Sequence, residues 1–111
     1  MIIWFIVNKS TTDEKLNLLA FHNFRLFKKG KDEYIYEGNE DRDMAELVTM
    51  FGQPIEPKYK VGQKVVYCTQ EMEILKINPC QLDQRWVVFY VLCNVKDDKF
   101  NIIEDNNIIP I

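Results

Sequence analysis

The alternation of apolar and polar residues predicts a buried strand followed by a helix at the start of the chain. Residues 2–7 form an apolar run of strand length. Thr11 and Glu14 then have the spacing of a capping box, which favours a helix start, and the helix is expected to run to about Phe24. One face of that helix is apolar at helical spacing, with Leu16, Leu19, Ala20 and Phe24.

A hairpin and a second helix are predicted next. Residues 24–38, "FRLFKKGKDEYIYEG", alternate on both sides of a Lys/Gly/Asp turn, which is a hairpin signal. A helical stripe follows, with either Asn39 or Asp41 as its cap and Gly52 at its end, and its apolar members are Met44, Leu47, Val48 and Phe51. Residues 1–52 are therefore predicted to be a β-α-β-β-α unit.

The second half of the chain reads as strands only. Residues 53–58 are a short connector with two prolines, which favour an extended path. From residue 59 the chain shows "YKVGQKVVYC", "EMEILKINP", "RWVVFYVLCNV", a turn "KDDK" and "FNIIEDNNIIPI". These apolar runs, separated by polar turns, are typical of a small all-β domain.

The segment "RWVVFYVLCNV", residues 85–95, is apolar on both faces. Val87, Phe89, Val91 and Cys93 are expected to point into the interior of the domain. Trp86, Tyr90 and Leu92 then need another cover, which is either the N-terminal unit or a partner protein.

The strand pattern of residues 59–111 resembles the SH3-like small barrels of the Tudor and KOW type. In that family a segment such as "VGQKV" opens the first strand, the middle strands are longest, and a short turn such as "EDNN" precedes a terminal strand like "IIPI". The resemblance implies an SH3-like small antiparallel β-barrel over residues 59–111. Together with the β-α-β-β-α unit predicted for residues 1–52, this gives an α+β fold in which that unit is an N-terminal elaboration packed on the barrel. Because a piece of about 50 residues is marginally stable alone and the connector is short, the two parts are expected to form one cooperative body. The likeness is one of strand pattern and carries no catalytic motif.

Composition and charge narrow the functional classes. The chain has 111 residues, of which 47% are hydrophobic and 28% charged, as in ordinary globular proteins. Residues 1–57 hold seven Lys/Arg and ten Asp/Glu, and residues 58–111 hold seven of each. Since neither half is basic, a dedicated nucleic-acid binder is disfavoured. The opening "MIIWFIV" lacks a positive flank and membrane-spanning length, so the sequence predicts a cytoplasmic protein without a membrane partner.

The side chains that usually carry chemistry are sparse. His22 is the single histidine, and no nucleophile neighbours it in sequence. Cys68, Cys80 and Cys93 form no CxxC pair and are expected to be reduced core residues. The four glycines are isolated, so no phosphate-binding loop is present. We therefore expect no enzyme activity, no metal site and no cofactor.

An acidic stretch surrounds the start of the predicted second helix. It contains Glu37, Glu40, Asp41, Asp43 and Glu46. Negative charge at a helix N-terminus is stabilised by the helix dipole, which accounts for most of this pattern. The functional alternative is an acidic surface that docks a basic protein or imitates nucleic acid.

A basic stretch lies in the predicted hairpin. Arg25, Lys28, Lys29 and Lys31 interleave with Phe24 and Phe27. Cations beside aromatic rings suit single-stranded nucleic acid, whereas lysines at a hairpin tip also serve simply to protect a sheet edge.

These observations predict a small non-catalytic protein-binding or regulatory module. The candidate protein-binding residues are Glu37, Glu40, Asp41, Asp43, Trp86 and Tyr90. The abundance of Ile, Asn and Lys fits an AT-rich bacterial or phage genome. A compact phage or mobile-element protein that inhibits or adapts a host machine fits a sequence without functional motifs. The alternative is a nucleic-acid- or ribosome-associated module of the KOW or Tudor type, which would bind through Arg25, Lys28, Lys29 and Lys31.

Overall fold

The computed structural model describes residues 1–41, 43–96, 99–104 and 107–111. These residues form an α+β structure with two short helices and two antiparallel sheets. They divide into two compact units, Met1–Glu56 and Pro57–Ile111. The predicted turns "KDDK" and "EDNN" include Asp97, Asp98, Asp105 and Asn106, which lie outside the described residues.

The first unit has the predicted order of strand, helix, two strands and helix. Its elements are β1 (Ile2–Asn8), α1 (Asp13–Phe21), β2 (Arg25–Lys29), β3 (Glu33–Asn39) and α2 (Ala45–Phe51). The strands form an antiparallel sheet in the order β1-β3-β2, so the central strand is the second arm of the hairpin.

The core of the first unit lies on one face of this sheet. Alternate residues of β1, Ile3, Phe5 and Val7, pack with Leu19 of α1 and Leu47 of α2. Burial of each such side chain contributes about 1.5–3 kcal/mol, so these contacts hold both helices on the sheet.

The first helix begins and ends differently from the prediction. Thr12 is the N-cap residue and makes no side-chain cap bond. The expected capping box is wrong, because the Thr11 hydroxyl instead donates to the carbonyl of Asn8 (2.6 Å). At the other end Asn23 has a φ of 64°, its N–H donates to the Ala20 carbonyl, and the N–H of Phe24 donates to the carbonyl of Leu19. This Schellman arrangement ends the helix at Phe21 and turns Phe24 back into the core.

The second helix starts later than the cap candidates predicted. Its first residue is Ala45 and its N-cap residue is Met44, so neither Asn39 nor Asp41 caps it. Asn39 is instead the last residue of β3, paired with Ile2, because the strand ladder continues past the point where the helical pattern was expected to begin.

The second unit is a five-stranded antiparallel sheet. Its strands are β4 (Lys64–Tyr67), β5 (Gln70–Leu82), β6 (Arg85–Asn94), β7 (Phe100–Glu104) and β8 (Ile109–Pro110). The order is β7-β6-β5-β4-β8, so the last strand pairs with the first. Within the described residues no pairing joins β7 to β8, and the sheet is not closed into a barrel.

The interior of the second unit is formed by the face of β6 that was predicted to point outward. Tyr90 and Leu92 are fully buried, in a cluster with Val65, Met72 and Ile74. Val87, Phe89, Val91 and Cys93, the residues expected inside, are only partly buried, so that expectation is wrong.

Hydrogen bonding explains why a tyrosine can occupy the core. The backbone N–H of Lys58 donates to the Tyr90 hydroxyl oxygen (3.0 Å), and the rings of Tyr59 and Tyr90 meet edge to face at 5.3 Å. With its hydroxyl paired, the ring is buried without the cost of an unsatisfied polar group.

Candidate functional site

The acidic segment, defined as Glu37, Glu40, Asp41 and Asp43, lies at one end of the first sheet and in the loop that follows it. Glu37 is half-buried in β3, and the other three residues are exposed. The backbone N–H of Glu40 donates to the carbonyl of Met1 (2.8 Å), which holds the start of the loop against the end of β1.

The helix dipole does not account for most of this charge. Because α2 begins at Ala45, Glu46 is the acidic residue in its first turn. Glu40 and Asp41 precede the N-cap residue Met44 by three or more positions, and the stabilising effect of a helix dipole falls off within about one turn. The dipole of α2 therefore accounts for Glu46 and for Asp43, which directly precedes Met44, but not for Glu40 and Asp41.

The basic residues predicted as an alternative site do not form a single cluster. Arg25 lies opposite Glu37 in the β2–β3 ladder, at the acidic end of the sheet. Lys28 and Lys29 are at the other end of β2, where Lys29 Nζ is 5.6 Å from the centre of the Tyr34 ring. The sheet therefore separates Arg25 from the lysines.

Acidic groups accompany the lysines at the hairpin tip, and one of the two expected aromatic rings is inaccessible. Lys9 Nζ lies 3.3 Å from Asp32 Oδ1 in the same region. Phe24 is 2% exposed in the core, whereas Phe27 is 40% exposed at a bulge in β2. Of the two rings, only Phe27 could stack on a base.

The two aromatic candidates of the second unit differ in accessibility. Tyr90 is 0% exposed and cannot meet a partner protein, so its inclusion among the binding residues is wrong. Trp86 is half-buried near the β5–β6 turn, opposite Gln81.

An exposed apolar surface in the second unit was missed by the sequence analysis. Phe100 and Ile102 of β7 are 64% and 69% exposed. They pair with Cys93 and Val91 of β6, which lie on the same face. The sequence "FNIIE" places Phe100 and Ile102 on the same face of a strand. That spacing indicates an exposed surface only when the opposite face of β6 is known to form the interior.

The cysteines and the histidine stand apart from these surfaces. The three cysteines form no disulfide, and Cys68 is exposed at the β4–β5 turn, so the expectation of core cysteines is wrong for Cys68. A side-chain hydrogen bond with Cys68, reinforced by the charge of the thiolate, raises the pKa of Tyr67 above its ordinary value. His22 packs edge to face against Phe21 at 5.5 Å.

Other site types are not evident in the part of the chain that the structure describes. Those residues contain no grouping of three or more His, Cys, Asp or Glu side chains that could hold a metal ion. None of their helices has the length and apolarity needed to cross a membrane. An open cavity of about 470 Å³ adjoins the acidic segment and is lined in part by Asn23, Arg25, Glu37 and Asn39.

The chain matches no protein-family model, and comparison with curated proteins and with solved structures finds no match either.

Proposed function

We propose that this chain is a small, non-catalytic, cytoplasmic protein-binding module that docks a basic surface of another protein through the acidic segment. One observation carries the proposal. Glu40 and Asp41 are exposed and lie three or more positions before the N-cap residue Met44, where the helix dipole gives them little or no stabilisation.

A cationic surface of a partner protein would be attracted to the exposed carboxylates of Glu40, Asp41 and Asp43. Complementary charge also speeds encounter, because opposite potentials steer two proteins together before they touch. The cavity beside Glu37 is open to solvent and offers Asn23 and Asn39 as further polar groups for a partner side chain.

For the second unit we propose an SH3-like fold, in agreement with the resemblance of its strand pattern. Three features support it: β5 and β6 are the longest strands, a bulge between Ile74 and Lys76 bends β5, and the terminal strand β8 pairs with the first strand β4. Small barrels of this type commonly serve as binding modules. For the biological role of the chain we propose a phage or mobile-element protein that inhibits or adapts a host machine.

Matched charge reversals test the acidic segment. The variant E40K/D41K/D43K should lose its protein partner in an affinity pull-down from source-cell lysate, while K28E/K29E/K31E, with three reversals on the same unit, should retain it. Nuclease treatment should leave the wild-type complex intact. Circular dichroism and thermal unfolding must show that both variants fold, and loss of binding in the lysine variant alone would contradict the proposal.

The alternative function, nucleic-acid binding, draws support from the exposed Phe27 beside Lys28 and Lys29. In that case the captured partner would be nuclease-sensitive. The lysine variant would also reduce the slope of log affinity against log salt by roughly 2–3 units, since three phosphate contacts would be lost.

A further inference from the structure

The outer edge of β7 offers more backbone groups for strand pairing than the opposite edge of the second sheet. The opposite edge, β8, spans two residues, and one of them is Pro110, which has no N–H to offer a neighbouring strand. By contrast β7 has five residues, Phe100–Glu104, without proline or glycine. In the described part of the chain no strand pairs with its outer side. Such an edge is a template for another strand.

The side chains of β7 add an apolar surface to this edge. Phe100 and Ile102 point to the outer face of the sheet, beside Cys93 and Val91 of β6. Each of the two β7 side chains is more than 60% exposed. A strand added to this edge would therefore gain main-chain hydrogen bonds and also bury apolar side chains.

We propose that the strand added here is β7 of a second copy of this chain, antiparallel and related by a twofold axis through Asn101. Charge favours this occupant. Lys99 precedes β7 and Glu104 ends it, so an antiparallel copy brings the basic end of each strand to the acidic end of the other. A parallel copy would place like charges together at both ends.

The side chains select the register. Phe100 and Ile102 of both copies lie on one face of the joined sheet only if the twofold axis passes beside a residue of β7. That residue then lies opposite the same residue of the other copy. With Asn101 on the axis, Phe100 of each copy faces Ile102 of the other. With Ile102 on the axis, Phe100 would instead face Glu104. The Glu104 carboxylate would then lie against the Phe100 ring, and it would lose water without gaining a hydrogen-bond or charge partner.

The resulting dimer has a ten-stranded sheet whose central rows are apolar. Each row runs from Cys93 through Phe100 of one copy to Ile102 and Val91 of the other. The inference is independent of the proposed function, because it rests on residues of the second unit alone.

Sedimentation velocity over a range of concentrations tests the dimer. The wild type should associate, and Ile102→Lys should weaken association by at least about tenfold, because a lysine would have to be desolvated in the centre of the interface. Ile109→Lys is the matched control, since Ile109 is 64% exposed on the opposite edge strand β8, and it should associate as the wild type does. A wild type that stays monomeric throughout, or equal weakening in both variants, would overturn the proposal.

Cross-linking tests the register. In a background with exposed Cys68 replaced by Ser, oxidised glutathione should convert Asn101→Cys into a disulfide-linked dimer, because opposite residues in antiparallel strands have Cα atoms about 4.5–5.5 Å apart. Ile103→Cys should remain uncross-linked, since the two copies of that residue would be offset by four positions, or roughly 14 Å. Cross-linking of Ile103→Cys and not of Asn101→Cys would overturn the proposed register.

Discussion

At the scale of single residues, the ring of Phe24 packs closely over Gly38. Gly38 lies in β3 opposite Ile3, and the Phe24 ring lies directly over it. A Cβ atom at position 38 would lie 2.7 Å from ring carbons of Phe24. That ring is 2% exposed and meets Phe5 edge to face at 5.2 Å, so it has little freedom to move aside.

We therefore predict that Gly38→Ala lowers the free energy of unfolding by about 1–3 kcal/mol, measured by urea denaturation. The matched test is the double variant G38A/F24L. In the Phe24→Leu background, where the smaller side chain leaves room, the added methyl group should cost much less. An equal cost in both backgrounds would show that the ring is not the source of the effect.

At the scale of elements, the second sheet depends on two tight hairpins built without glycine. The β4–β5 turn has Cys68 and Thr69 at φ values of 51° and 63°, and the β5–β6 turn has Asp83 and Gln84 at 47° and 69°. Positive φ at both central residues is the mark of a type I′ turn, whose twist matches that of the flanking strands. Thr69 is strained there, because a β-branched residue rarely adopts the left-handed conformation.

Thr69→Gly should accordingly raise the free energy of unfolding by about 1 kcal/mol, the difference between relieved strain and the added flexibility of glycine. Thr69→Ala is the control, since it also removes the hydroxyl that donates to the Cys68 carbonyl but keeps the Cβ atom. Thermal or urea unfolding should show no gain for alanine. Equal stabilisation by both substitutions would mean that the hydroxyl, and not the backbone, was responsible.

At the scale of the whole molecule, the chain divides into two units of similar size, each with its own buried cluster. A unit of about 55 residues buries only some 60% of the surface that its unfolded chain exposes, so a unit alone is marginally stable. We therefore keep the prediction that the units form one cooperative body.

The fragment of residues 57–111 should be unstable or aggregate when expressed alone, while the full chain should unfold in a single transition. Amide resonance dispersion and a calorimetric scan measure both properties. A fragment with dispersed resonances and a sharp transition would contradict cooperativity and establish two independent domains.

The candidate surfaces were predictable only in part. The acidic segment is visible in the sequence because its carboxylates are close together along the chain. The structure strengthens the case for a binding role, because α2 begins at Ala45 and its dipole stabilises Glu46 but not Glu40 or Asp41. The apolar surface of β7 could not be recognised beforehand, because exposure of Phe100 depends on which face of the sheet is interior.

The sequence by itself determined the order and type of the elements. Spacings of two and of three to four residues are local properties, so the alternation in residues 24–38 and the stripe from Met44 to Phe51 indicated a hairpin and a helix without knowledge of their neighbours. Only the tertiary structure decided which side of β6 is buried, because both sides are apolar and the choice depends on pairing with distant strands and on a backbone N–H at Lys58 for the Tyr90 hydroxyl. Tertiary contacts likewise decided where elements end. Pairing with Ile2 extends β3 through Asn39, and the packing of Phe24 in the core ends α1.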